Sequence, residues 1–444
     1  MIWQYILTTL FAFAFPITSA AIINYFERKI LAWIADRVGP LHTGPHGSLQ
    51  LIADILKMAL KEDIHPIHTD KAIFLLAPSA FIAPVIAAFA VLPFSPFVGM
   101  PGTALATGIV YLVAMSSLDI IGVIMAGWGS NNKYSLMGGL RSAAQMISYE
   151  LPLVLALVGI IMLTSALAGT PGYGGSAGVG TISIKEIMTF QNASNWPGKG
   201  IPFFDFIFQG NTPWAWFILV QPLMLVVYYI CGLAETNRVP FDLPTAESEL
   251  VAGFLTEYSG LRWAMFFLGE YGNMTIVGAI VTSLFLGGWA GPGVAFLTAP
   301  SKDISWQVLG NLLGILYFIG KVYLLIGVFI WVQGTLPRLR SDQLMQFAWL
   351  VLMPVGLGNI LLTAMLYLLL NSLGAPIAVF LIVLGVVNWS LLFLFVRWIS
   401  HVTNTSTRKA SAPALHAQQR RVQHVERLAV PIGAAAQKEE RLLH

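Results

Sequence analysis

Charged residues are scarce in this sequence. Only 10% of its 444 residues are Asp, Glu, Lys or Arg, whereas 57% are hydrophobic; a soluble domain carries about 25% charged residues. Apolar runs of about 20 residues recur along the chain, long enough to cross a hydrocarbon core of about 30 Å as helices. Because backbone groups in lipid must be satisfied internally, runs of this length favour helices over barrel strands. We predict an all-α polytopic membrane protein.

Cysteine is nearly absent, since Cys231 is the only one. The chain therefore forms no internal disulfide and holds no cysteine-ligated iron–sulfur cluster, which takes about four thiolates. His42 and His46 are spaced like metal ligands on a helix, as are His65 and His68. Glycines and prolines around these pairs disfavour a helix there, so we predict no metal site. Any electrons that the protein handles must come from a partner.

Nine apolar segments are long enough to span a membrane. They cover residues 5–23, 72–94, 103–127, 151–167, 214–233, 261–288, 308–331, 347–370 and 375–398. We expect about nine transmembrane helices in a single domain over residues 1–398, followed by a basic tail over residues 399–444. After Ser48, the residues Leu49, Ile52, Leu56 and Leu60 recur at helical spacing. This pattern predicts an amphipathic helix at the cytoplasmic interface.

The basic residues indicate an orientation. No Lys or Arg precedes the first segment, and an N-terminus outside places most Lys and Arg residues in the inner loops and the tail. The outer loops then hold only Lys185, Lys199 and Lys302. This asymmetry agrees with the positive-inside rule. We expect the C-terminal tail to lie in the cytoplasm.

Carboxylates concentrate after the fifth predicted span. Residues 231–262 contain five of them: Glu235, Asp242, Glu247, Glu249 and Glu257. Only Arg238 and Arg262 balance these acids. Charge runs usually form solvated loops, but charge is rare elsewhere in this chain, so the segment is a candidate functional site.

A few charges fall inside or at the ends of predicted spans. Asp119 lies in the third span, Glu150 at the start of the fourth, Glu270 in the sixth and Lys321 in the seventh. A charge near the bilayer centre costs roughly 3 kcal/mol and marks a functional-site candidate by default. A structural ion pair is the alternative for each, and Lys321 can pair with one of the acids. The acids outnumber the bases, however, and crowded buried carboxylates are the groups from which proton paths are built.

Several of these charged residues, among them Glu150 and Glu270, belong to motifs that cover roughly residues 1–370 in order. The motifs are Glu27-Arg28-Lys29 with Arg37, Gly39-Pro40 and Gly44-Pro45; Ala53-Asp54; Gly127-Trp128; Ser148-Tyr149-Glu150; residues 234–242 with 246–253; Glu257-Tyr258; Glu270-Tyr271; and residues 335–338 with 342–345. In this combination the sequence resembles the quinone-facing membrane subunits of proton-pumping NADH:quinone oxidoreductase, complex I.

The resemblance implies a function and a set of site residues. The family helps to form the quinone chamber and couples quinone reduction to proton translocation. By position, the chamber and its entrance match Arg28, Arg37, Asp54 and Lys57. The acidic proton channel matches Glu150, Glu235, Glu247, Glu249, Glu257 and Glu270, to which we add Asp119. No residue of the chain is expected to be catalytic in isolation.

The resemblance also implies partners and cofactors. We expect ubiquinone or menaquinone as the substrate, and FMN and iron–sulfur clusters in partner subunits, with no cofactor and no nucleic acid bound by this chain. The expected partners are peripheral-arm and small membrane subunits of complex I, together with membrane lipid. The resemblance to the bacterial members of the family also implies a location in the bacterial inner membrane.

The sequence departs from the family pattern at four positions. Thr245 stands where a glutamate is usual, Ala35 and Leu41 replace a glutamine and an asparagine, and Gln333 replaces an arginine. Two other classes remain open on the sequence: the related membrane subunit of a ferredoxin-linked hydrogenase complex, and a proton-coupled secondary transporter. Transporters usually show internal repeats, and the sequence shows none.

Overall fold

The computed structural model describes residues 2–64, 66–95, 103, 105–168, 181–191, 216–243, 250–298 and 303–401. The main elements in these ranges are all helices, which confirms the predicted fold class. They are α1 (Ile2–Ile34), α2 (Gln50–Leu60), α3 (Lys71–Ala88), α4 (Gly108–Gly129), α5 (Lys133–Leu167), α6 (Ile184–Gln191), α7 (Pro222–Glu235), α8 (Gly260–Phe285), α9 (Ile304–Thr335), α10 (Ser341–Phe347), α11 (Met353–Ser372) and α12 (Ile377–His401). Short helical turns cover Pro45–Gly47, Phe89–Val91, Phe217–Val220, Gly253–Leu255, Val294–Leu297 and Ala348–Leu352.

Within the described ranges, seven helices are long and apolar enough to cross a membrane. They cover Lys71–Val91, Gly108–Gly129, Lys133–Leu167, Gly260–Phe285, Ser305–Thr335, Ser341–Ser372 and Ile377–His401. Helix α7 is apolar but shorter, and α1 covers the first predicted segment. A polytopic helical membrane protein is confirmed, whereas the count of nine spans stays a prediction.

Helix α5 begins much earlier than the sequence suggests. The predicted span starts at residue 151, but the helix starts at Lys133, behind an N-cap formed by Asn132. One face of its first half is buried, and there Gln145 donates hydrogen bonds to the carbonyls of Ala234 and Phe241, both at 2.7 Å. On the other face, Leu140 and Ile147 are exposed. The predicted start at residue 151 is therefore wrong, because residues 133–150 are already helical and their buried polar groups find hydrogen-bond partners within the fold.

Close backbone contacts hold α3 and α4 together. A Cβ atom on Gly122 of α4 would lie 2.6 Å from the backbone of Phe81 in α3, so only glycine permits this approach. Further along α3, the ring of Phe74 stacks on Tyr258 with centroids 4.2 Å apart. The stacking on Tyr258 fixes the last part of the acidic segment against α3.

The chain divides into two compact units, residues 1–386 and residues 387–444. The first unit contains the helices that form the candidate site. In the second unit, residues 387–401 are described, and they form the last part of α12.

Candidate functional site

A cavity of about 520 Å³ lies between α1, α2 and α8. Most of its wall is apolar, and it includes Ile17, Ile55, Met58, Trp263 and Phe267. Its polar residues are Asn24, Arg28, Asp54, Lys57 and Tyr271. A concave, mostly apolar site of 300–1,000 Å³ with a few polar groups is typical of small-molecule binding sites.

Three of the four residues predicted for the chamber meet at this cavity: Arg28, Asp54 and Lys57. The fourth, Arg37, is exposed just beyond the end of α1 and is not among the lining residues. Its role at the entrance stays a prediction. Tyr271 was singled out only as part of a motif, and its place in the cavity wall comes from the packing of α8 on α1.

Helix α2 brings a carboxylate to the cavity. Arg28 of α1 lies 2.7 Å from Asp54 of α2, and Gln50 donates a 3.0 Å hydrogen bond to the same carboxylate. The ion pair is partly exposed, with 43% and 27% of the two side chains accessible. The amphipathic helix predicted from Ser48 thus begins at Gln50.

The predicted apolar stripe of α2 does not line the cavity. Ile52, Leu56 and Leu60 expose 53%, 55% and 84% of their surface. The cavity is lined instead by Leu51, Ile55 and Met58, together with the polar residues of α2. The exposed stripe is what an interfacial helix presents to lipid or to a partner.

Glu27 lies next to Arg28 on α1 but is buried, with 7% of its surface exposed. Its carboxylate lies 3.3 Å from Nη1 of Arg238, accepts a short hydrogen bond from the hydroxyl of Tyr271, and accepts another at 2.9 Å from Gln333. Four segments of the chain therefore meet at one carboxylate. Glu27 was named only as part of the Glu27-Arg28-Lys29 motif and was not among the predicted site residues.

Arg238 joins this group to Glu270. Its Nη2 atom lies 3.8 Å from Oε2 of Glu270, and its guanidinium lies 4.3 Å from the centroid of the Tyr271 ring. Burial by itself would lower the pKa of Arg238, but the carboxylates of Glu27 and Glu270 and the Tyr271 hydroxyl raise it above its usual value. The guanidinium is therefore a fixed positive charge. We call Glu27, Arg238, Glu270, Tyr271 and Gln333 the Arg238 cluster.

The Arg238 guanidinium is incompletely bonded. Among the described residues, Nε and Nη2 have no hydrogen-bond partner, because the 3.8 Å separation from Glu270 is an ion-pair distance and too long for a hydrogen bond. Buried polar groups are normally satisfied. The unused N–H groups of Arg238 allow its guanidinium to form a shorter contact with the carboxylate of Glu27 or with that of Glu270.

A second group of predicted carboxylates lies among α4, α5 and α7. Asp119 is fully buried and accepts a 2.6 Å hydrogen bond from Asn273, while Ser117 donates a short one to Glu150. Glu235 and Glu150 act electrostatically on Asp119. Glu235 also borders a cavity of about 30 Å³, which has room for a water molecule.

The remaining acidic residues are spread around these two groups. Glu257 accepts a 2.7 Å hydrogen bond from Asn132, and Asp242 forms a 2.8 Å ion pair with Arg338. Glu247 and Glu249, both predicted channel residues, lie outside the described residues, as does Thr245. The described carboxylates thus form two clusters joined through α8, which carries both Glu270 and Asn273.

The hydrogen-bond partners of Lys321 differ from those that the sequence suggests. The sequence allows it to pair with a buried acid, but its ammonium donates to the backbone carbonyls of Leu286, Gly288 and Ala290, at 2.8, 2.9 and 2.7 Å. Within the described ranges it forms no ion pair. Backbone carbonyls that no sequence pattern reveals have taken the place of a carboxylate.

Comparison with known proteins identifies the family of this chain. The family model described as NADH dehydrogenase matches residues 7–364. The chain is 45% identical to the NADH-quinone oxidoreductase H subunit of Brevibacillus brevis over 340 residues, covering 77% of this chain and 86% of the relative. It is 41% identical to the H subunit numbered 1 of Geobacter sulfurreducens over 372 residues (80% and 92%) and 40% identical to the H subunit of Dehalococcoides mccartyi strain CBDB1 over 397 residues (89% and 96%). The chain therefore belongs to the NADH dehydrogenase family, as the motifs around Glu27, Arg238 and Glu270 had indicated.

Proposed function

We propose that this chain is the membrane subunit of a NADH:quinone oxidoreductase that helps to bind the quinone and couples its reduction to proton translocation. One observation carries the proposal: Tyr271 belongs both to the wall of the 520 Å³ cavity and to the Arg238 cluster. A change of charge or protonation in the cavity thus acts directly on buried carboxylates.

The cavity suits a quinone. Its apolar wall, with Trp263 and Phe267, fits a ring and an isoprenoid chain, while Arg28, Lys57 and Tyr271 offer hydrogen-bond donors to carbonyl oxygens. Ubiquinone and menaquinone share this chemistry, so both fit the proposal. Arg28 is held by Asp54 at 2.7 Å, which fixes one donor at the side of the cavity.

The Arg238 cluster provides the coupling. Reduction of a quinone takes up protons, and a negative charge that appears beside Tyr271 favours a shift of the proton or of the Arg238 cation within the cluster. Glu27 and Glu270 compete for one guanidinium, so a closer contact with one loosens the other. From Glu270, Asn273 lies one turn further along α8 and bonds Asp119, which brings the second group of carboxylates into reach.

The electrons come from elsewhere in this proposal. The sequence holds one cysteine, too few thiolates for an iron–sulfur cluster. FMN and iron–sulfur clusters therefore reside in partner subunits, and the isolated chain has no redox activity. A flavin or cluster signal in a purified preparation of the chain alone would contradict this part.

The decisive test is Glu270→Gln in the assembled complex. Glutamine keeps the size of glutamate but carries no exchangeable acidic proton, so we expect NADH:quinone activity and proton uptake into proteoliposomes to fall together. NADH oxidation by an artificial acceptor reports assembly and should stay unchanged. Asp303→Asn is the matched control, because Asp303 is exposed at the start of α9 and its side chain caps no helix. Full turnover with full pumping in Glu270→Gln would refute the coupling role.

A further inference from the structure

Lys321 lies near the middle of α9 in a cage made by the turn that follows α8. Its three carbonyl partners, Leu286, Gly288 and Ala290, come from alternate residues, and Gly287 and Gly288 have positive φ angles of 70° and 59°. This glycine turn lets the carbonyls converge on one point. The indole of Trp216 closes the cage, with its ring centroid 4.4 Å from Nζ. We call this set the lysine cage.

The cage specifies a charged lysine. Backbone carbonyls only accept hydrogen bonds, so three of them within 2.9 Å of Nζ require three N–H donors. An ammonium has three and a neutral amine has two. The C-terminal end of α8 adds partial negative charge, which also favours a cation there. The cage therefore offers an ammonium at Lys321 three acceptors without any carboxylate.

Some of the residues that line the small cavity beside Glu235 lie along α8 in the direction of Lys321. Along α8 its wall runs from Asn273, the partner of Asp119, through Ile280 to Leu284. At 1.5 Å per residue this is about 16 Å. Leu284 lies two residues before Leu286, whose carbonyl Lys321 binds. The lysine cage thus lies just beyond the C-terminal end of α8, past the last residue of α8 that lines this cavity.

We propose that Lys321 is an electrostatic barrier that prevents protons on the buried carboxylates from leaking out through the Phe285 end of α8. A fixed cation raises the free energy of a second cation nearby, as cationic side chains do in selective pores. Its ammonium also occupies carbonyls that would otherwise bind a hydrated proton or an alkali cation. Closing this end matters for any chain that holds proton-binding groups between two compartments.

The test is a passive leak measured without NADH or quinone. The assembled complex is reconstituted in proteoliposomes that contain a pH-sensitive dye, and a potassium diffusion potential set with valinomycin drives protons inward. Lys321→Met, which keeps the length and loses the charge, should acidify the lumen several-fold faster than the unmodified complex. Gly320→Ala is the matched control on the same helix, because a Cβ there meets nothing within 4 Å.

A second pair of variants separates charge from helix capping. Gln191 caps the same end of α8 by donating to the carbonyls of Ser283 and Leu284 and accepting from the amide of Gly287. Gln191→Met removes these bonds without changing charge, so its leak should equal that of the unmodified complex. Lys321→Gln keeps an amide donor but no charge and should leak like Lys321→Met.

Three results would overturn the proposal. The first is a Lys321→Met complex whose lumen acidifies no faster than that of the unmodified complex. The second is a proton leak in Gln191→Met as large as that in Lys321→Met. The third is failure of Lys321→Met and Lys321→Gln to assemble while Lys321→Arg assembles. The last would identify a folding role for the charge. Because no substrate is added, these outcomes are independent of the NADH:quinone activity that tests the proposed function.

Discussion

The hydroxyl of Tyr271 donates a hydrogen bond to the carboxylate of Glu27, which lies 244 residues earlier in the chain. The Tyr271 side chain forms part of the cavity wall, while Glu27 is buried. This contact joins α8 to α1. It also links the wall of the 520 Å³ cavity to Glu27, a member of the Arg238 cluster. Substitutions on either side of the contact therefore separate ligand binding from coupling.

Tyr271→Phe removes the hydroxyl and keeps the ring on which Arg238 lies. A hydrogen bond to a charged group contributes about 1.5–3 kcal/mol, so we expect quinone reduction to fall about tenfold or more while the complex still assembles. The measurement is NADH:quinone turnover normalised to artificial-acceptor activity. Unchanged turnover and pumping would remove Tyr271 from the coupling route.

Arg238→Met leaves Glu27 and Glu270 buried without their shared cation. Removal of one partner of a buried ion pair costs about 3–5 kcal/mol, so we expect a lower melting temperature of the complex and less of it in the membrane. Arg340→Met is the control, because its side chain is 80% exposed and its ion pair with Asp342 is 3.5 Å long; such a surface pair contributes at most about 1 kcal/mol. Equal stability of the two variants would show that the Arg238 cluster is not a buried ion-pair network.

Arg28→Ala tests the cavity. The Arg28–Asp54 pair is partly exposed, so its loss should change stability by less than about 1 kcal/mol. The apparent KM for a short-chain quinone should rise several-fold, because a donor in the cavity wall is lost. Arg37→Ala is the informative comparison, since Arg37 is exposed and does not line the cavity. If Arg37→Ala alone raised KM, the entrance would lie nearer to the end of α1 than to this cavity.

Glu247→Gln tests the acidic segment between α7 and α8. We expect quinone reduction and pumping to decrease together, with Glu249→Gln milder because Glu247 lies close by in the sequence. Proton uptake in proteoliposomes is the readout, with artificial-acceptor activity as the assembly control. A Glu247→Gln, Glu270→Gln double variant with full turnover and full pumping would contradict the carboxylate route as a whole.

The fold class, a polytopic helical membrane protein, could be predicted from the amino-acid sequence. Apolar runs predicted helices α3, α4, α8, α9, α11 and α12 within the described ranges, because the length and polarity of a membrane helix are local properties of the chain. The order of the motifs along the chain also predicted the family. The same motifs pointed to Arg28, Asp54 and Lys57, which line the cavity.

The contacts between charged residues depend on how distant segments pack together. Glu27 contacts Arg238 and Gln333 across 211 and 306 residues, and no local pattern carries such separations. Lys321 is held by backbone carbonyls of a glycine turn, which every residue type possesses and no sequence motif marks. One face of the first half of α5 is buried because Gln145 donates hydrogen bonds to the carbonyls of Ala234, near the end of α7, and of Phe241, which follows α7. Polar groups in a membrane protein must find partners inside the fold, and the packing of distant segments determines which partners those are.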